Sequence, residues 1–137
     1  MKALYALTLL STLAGLVTFA LCDTYEEMEK FHKACIAESN TTEDEFKKFF
    51  DNGMKASDAT NNIKCHMKCL MEKQGIFKNG VYNAEAGLKL LLSIPAISGH
   101  ENEIKQAVNS CKNERGANDC DTAFKISMCI KEFKAQL

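Results

Sequence analysis

The chain predicts an all-α, disulfide-stapled fold of six helices in one extracellular domain. Three observations predict it. Apolar residues recur with a period near 3.6 along almost every segment, and none alternates for long enough to make a convincing strand. Six of the seven cysteines remain once an N-terminal leader is set aside, and an even count in a small secreted chain implies a disulfide framework. One Pro, no Trp and few other aromatics argue against a disordered or all-β chain.

The leader comes first. Lys2 gives a single positive charge, and Ala3 to Ala20, ALYALTLLSTLAGLVTFA, is almost continuously apolar or small before charge returns at Asp23. Charged start, apolar run and small-residue exit are the layout of a secretory signal peptide. Ala20 and Cys22 supply small residues three and one before the cut, so 1–22 reads as leader and 23–137 as the domain. The competing reading is a membrane anchor, because about 18 apolar residues can just span a bilayer. The extreme N-terminal position favours cleavage, and no second apolar stretch approaches spanning length. Lys and Arg number 17 against 18 Asp and Glu, which offers no broad basic surface for nucleic acid or anionic lipid.

Tyr25, Met28, Phe31, His32 and Cys35 mark one face of a first helix. Thr42 caps a second, with Glu45 three positions on as a capping-box partner and Phe46, Phe49, Phe50 and Met54 as its apolar stripe. Asp58 or Thr60 starts a third, carrying Ile63, Met67, Leu70 and Met71; Gly75 stops it, and Gly-Ile-Phe-Lys-Asn-Gly reads as a turn-rich connection. Asn83 caps a fourth helix with Leu88, Leu91 and Leu92, which Pro95 ends. Ser98 and Glu101 form another capping-box pair, opening a fifth helix with Ile104, Ala107, Val108 and Cys111 on one side. Gly116-Ala117-Asn118 breaks the chain, and Asn118 or Asp119 starts a sixth helix. Phe124 and Met128 lie on one of its faces and Ile126, Ile130 and Phe133 on another. A helix apolar nearly all round belongs in the middle of a fold.

The cysteines Cys35, Cys65, Cys69, Cys111, Cys120 and Cys129 are separated by 29, 3, 41, 8 and 8 residues. Cys65 and Cys69 sit one helical turn apart with side chains roughly parallel, poor geometry for bonding each other. Each should reach a different helix, though spacing alone leaves the pairing open. A zinc site on Cys65 and Cys69 is the weaker alternative, since no paired CxxC occurs and the secretory pathway is oxidising. The Cys-x3-Cys of CHMKC between two long gaps, with the terminal Cys-x8-Cys-x8-Cys run, resembles the insect odorant-binding protein family over the whole mature chain. That resemblance implies the pairs Cys35–Cys69, Cys65–Cys120 and Cys111–Cys129, six helices around an internal apolar cavity, and a carrier rather than an enzyme. It also places this chain with the shorter members, because only Ile130 to Leu137 follow the last cysteine.

Five Met and seven Phe lie in the mature chain, and flexible, polarisable Met suits irregular ligands. The candidate wall residues are Phe50, Met54, Met67, Met71, Leu88, Leu91, Val108, Phe124 and Met128, with Phe133 near the mouth. For each, ordinary helix–helix core is the competing reading; periodicity shows that they face inward and not that the inside is hollow. Burying about 12 methylenes yields roughly 10 kcal/mol, and association costs of several kcal/mol leave micromolar binding. The implied partners are a small apolar ligand (odorant, pheromone or fatty acid) and a chemosensory receptor. No cofactor or metal, nucleic acid or membrane span of the mature chain is implied.

Catalysis finds no motif. His32, His66 and His100 are scattered and read as surface or partly satisfied side chains. A secreted phospholipase would need a glycine-rich calcium loop and a Cys-Cys-x-x-His helix, and neither is present. Asn40-Thr41-Thr42 is a glycosylation sequon in which Thr42 has a competing structural role as a helix cap. The rival functions are a secreted interaction or signalling module with a filled core, and a lipid carrier outside chemosensation.

Overall fold

The computed structural model describes residues 25–134; the proposed leader 1–22 and Leu137 lie outside them. The chain divides into two units, Met1–Ala34 and Cys35–Leu137. In the first, helical residues carry an exposed Tyr25 and Met28 and a Lys33–Glu29 ion pair of 2.6 Å on the surface. The second unit opens with helical residues 35–39, α1. The second unit holds the rest: α2 (Glu43–Asp51), a 3-10 turn (Ala56–Asp58), α3 (Asn61–Lys73), α4 (Ala84–Leu92), a 3-10 turn (Pro95–Ile97), α5 (Glu101–Cys111) and α6 (Asp119–Lys134).

Local chemistry sets the helix boundaries. Thr42 Oγ1 accepts from the backbone N–H of Glu45 at 3.1 Å and opens α2. The Glu45 carboxylate accepts from the hydroxyl of Thr60, which itself caps α3 by accepting from Ile63 N–H at 3.2 Å. The capping pair of α2 thereby also ties α2 to the start of α3. Both helices close on the same device: Gly53 and Gly75 adopt positive φ, and the next residues, Met54 and Ile76, donate back to Phe49 and Met71 at 2.9 and 3.0 Å. This is the Schellman closure, which satisfies carbonyls the helix end leaves orphaned. Asn83 caps α4 through Ala86 N–H at 3.0 Å, and Asn118 caps α6 through Asp121 N–H at 2.9 Å.

Two expectations are corrected. Ser98 and Glu101 do not form a capping box: Ser98 ends the Pro95–Ile97 turn, and α5 starts from His100 with no side-chain cap. Pro95 nucleates that extra turn and pushes the helix start two residues on. The segment after Gly75 is more than a loop. Phe77 pairs with Tyr82 and Lys78 with Val81 in a two-stranded antiparallel hairpin (β1 Phe77–Lys78, β2 Val81–Tyr82). Asn79 and Gly80, at φ 51° and 75°, supply the two left-handed residues that a tight hairpin of this twist requires.

The core lies in two adjoining clusters. Met71, Ile76, Phe77, Tyr82, Val108, Ala123 and Ile126 form the first, with Leu88, Leu90, Leu91 and Ile130 packed on it. Phe49, Ile63 and Phe124 form the second, covered by Phe46, Met54, Met67 and Met128. Helix α6 contributes to both and packs against α3 and α5, as its two apolar faces predict. Three disulfides bind these helices: Cys35–Cys69 joins α1 to α3, Cys65–Cys120 joins α3 to α6, and Cys111–Cys129 joins α5 to α6.

Candidate functional site

An apolar pocket opens where α4, the Pro95–Ile97 turn, α5 and the last turn of α6 meet. Leu91, Ile97, Ile104, Ala107, Ile130 and Phe133 line it, with Glu103 as the one polar lining side chain among the described residues. The turn delivers Ile97, 5% exposed, because Pro95 redirects the chain over the end of α4. Helix α5 presents Ile104 and Ala107, both buried, on one face, as their spacing of three predicts. Leu91, Ile130 and Phe133 are half-buried and form the less enclosed part of the wall. The pocket is small. Its space for the centre of a water-sized sphere is about 20 Å³, enough for one water and too little for an apolar ligand without side-chain movement.

Two of the sequence-predicted wall residues, Leu91 and Phe133, line this pocket. Met71, Leu88 and Val108 belong to the first core cluster, against which Leu91 and Ile130 also pack, and so stand behind the pocket. Met54, Met67, Phe124 and Met128 belong to the second cluster. Phe50 is a correction: it is 56% exposed while Phe49 beside it is 3% exposed. Helix α2 stops one residue after Phe50, and its closure folds Met54 back over Phe49, so Phe49 takes the inner face. Ile97, Glu103, Ile104, Ala107 and Ile130 were missing from the wall; Ile104, Ala107 and Ile130 had their signal in the apolar faces of α5 and α6, whereas Ile97 reaches the site only through an unforeseen turn.

His66 is a second correction. It is completely buried on the inner face of α3, between Ile63 and Cys69 at helical spacing. Its ring lies 4.7 Å from that of Phe46, and Nδ1 is 3.5 Å from Ser39 Oγ, whose hydroxyl donates to Cys35 O at 2.6 Å. The spacing from Ile63 and Cys69 is the signal that would have found it. Asn40 is exposed and left-handed (φ 54°), while its sequon partner Thr42 is engaged as the α2 cap.

A wider cleft of about 580 Å³ lies over Cys65–Cys120, but it is open and polar. Its Lys64 pairs with Asp121 at 2.8 Å and its Lys68 with Glu72 at 3.1 Å. Among the described residues no group of three or more His, Cys, Asp or Glu could hold a metal ion, and no helix is long and apolar enough to cross a membrane.

Short helices, three disulfides linking them and an apolar pocket between helix ends define a protein of the insect odorant-binding class. The comparisons agree with the geometry. The PBP/GOBP family matches residues 22–133, and the chain belongs to that family. It is 35% identical over 124 residues to general odorant-binding protein 56a of Drosophila melanogaster, covering 90% of this chain and 85% of that one. Its fold is similar to that of the fatty acid binding protein OBP56a from the oral disk of the blowfly Phormia regina. That likeness has a TM-score of 0.69 and 30% identity, over 84% of this chain and 95% of the other. The Drosophila melanogaster odorant-binding protein dmelOBP28a, at 18% identity and a TM-score of 0.69 over 83% of this chain and 94% of its own, shares the fold.

Proposed function

We propose that this chain is a secreted carrier that takes a small apolar ligand into the pocket between α4, α5 and α6 and holds it through aqueous extracellular fluid. The observation that carries the reading is the pocket itself: six apolar side chains around one gap, with the half-buried Leu91, Ile130 and Phe133 able to give way. Leu91 and Ile130 pack against the core cluster that holds Met71, Leu88 and Val108. Cleavage between Cys22 and Asp23 would release the carrier, with odorants, pheromones and fatty acids as its cargo classes. Binding and release are the chemistry of this reading. A chemosensory receptor is the partner to which it would deliver.

The small volume has a thermodynamic use. An apolar pocket left open would forfeit packing of roughly 24 cal/mol per Å³, whereas a collapsible one stays packed until a ligand takes the place of its own side chains. The same small volume favours a second reading, a secreted interaction module whose core is simply filled.

Displacement of an apolar naphthylamine fluorophore decides between them. A carrier binds it at micromolar Kd and releases it to long-chain alcohols, and Ala107→Phe, which fills the gap, abolishes binding while the far-ultraviolet dichroism stays native. A folded wild-type protein that binds no apolar probe makes the filled-core module the correct reading.

A further inference from the structure

We infer that Glu103 sets the head-group preference of the pocket, selecting apolar ligands with a neutral, hydrogen-bond-donating head such as a primary alcohol and disfavouring carboxylates. The inference rests on the carrier reading and names the ligand class of that same site. Among the described residues, every lining side chain except Glu103 is apolar, and none is a cation. Glu103 stands beside buried Ile104 and one helical turn before buried Ala107, yet is itself exposed. It therefore marks the mouth, where the polar end of a ligand whose tail fills the gap must come to rest.

The charge at that mouth is negative. Glu101 and Glu103 both lie in the first turn of α5. The helix N-terminus carries about half a positive charge, which falls short of two full negative ones. A ligand carboxylate placed there meets like charge, while a hydroxyl donates a charge-assisted hydrogen bond to Glu103. Exposed charge pairs are screened by water, so the preference is modest, roughly three- to fivefold in Kd.

Dodecanol and dodecanoate, equal in chain length, are titrated against the fluorophore at pH 7 on the wild type, Glu103→Gln and Glu103→Lys. Tail partitioning alone can favour the alcohol, so the decisive quantity is the ratio of the two dissociation constants across the three proteins. Glu103→Gln keeps the shape and removes the charge, and is expected to shift the ratio toward dodecanoate by about three- to fivefold. Glu103→Lys is expected to shift it further in the same direction. Since the site is exposed, all three proteins should melt alike. Tight binding with one unchanged ratio in all three overturns the role of Glu103 and leaves the carrier reading standing. Binding of neither ligand nor fluorophore by any of them overturns both.

Discussion

A Cβ built on Gly87 would lie 2.0 Å from Tyr82 Oη and 2.6 Å from its Cζ, so the hairpin side chain rests directly on the bare backbone of α4. Alanine ordinarily gains about 1 kcal/mol over glycine in a helix interior, but overpacking here costs roughly 1–3 kcal/mol. Gly87→Ala should therefore lower the melting temperature, and adding Tyr82→Phe, which removes the nearest atom, should restore part of the loss. Tyr82 is also a pH probe. Burial alone holds its phenol above the ordinary range, so the folded state keeps a proton that the unfolded chain loses near pH ~10. Its contribution is intact below about pH 10 and declines as pH rises beyond it. Melts from pH 9 to 11 should show a shallower fall for Tyr82→Phe than for the wild type. None of this was legible in the sequence, where Gly87 sits unremarked in a leucine-rich helix. Phe49 and Phe50 show the related limit: both fit an apolar stripe with Phe46, and only the position where α2 ends decides which one is buried.

Helices announce themselves in this sequence because their signals are local. Thr42, Thr60, Asn83 and Asn118 each cap the helix that follows, and a short polar side chain before an apolar periodic run is a nearest-neighbour pattern. The hairpin was hidden for the opposite reason, since two-residue strands carry no alternation. Asn79-Gly80 was its only trace. Ser98 looked like a cap from its own neighbours, and the turn nucleated by Pro95 overrode it. The last turn of α6 is the element that matters most for binding, because Ile130 and Phe133 close one side of the pocket. Deleting residues 133–137 should weaken fluorophore binding by about 1 kcal/mol, roughly fivefold, because the Phe133 ring no longer shields the apolar probe from water. The weakening should be similar at pH 7 and pH 5, since a wall acts at both. Equal titrations of the shortened and full proteins at neutral pH, with complete acid release confined to the full protein, would instead identify the tail as a plug.

At the scale of the molecule the cysteine pattern was the most legible feature, because covalent topology leaves fixed gaps in the chain; the pairing came from the family likeness, since spacing alone left it open. Pocket volume was illegible, because inward-facing positions look the same whether they meet each other or a gap. The three bonds are not equally shielded. Cys35 and Cys69 are both buried, and buried Cys111 is joined to a half-buried Cys129, whereas Cys65 and Cys120 are both half-buried at the edge of the polar cleft. Thiol–disulfide exchange requires an attacking thiolate to reach a sulfur, so mild reduction of the native protein should open Cys65–Cys120 first. That bond spans a separation of 55 residues, against 34 and 18 for the others, and its loss should cost about 4 kcal/mol in the chain-entropy model. A typical domain has about 5–15 kcal/mol to lose. The singly reduced protein should thus remain folded but melt well below the oxidised form. Timed alkylation with peptide mapping measures the order of opening. First labelling at Cys35 and Cys69 would mean that access is governed by helix opening rather than by static exposure.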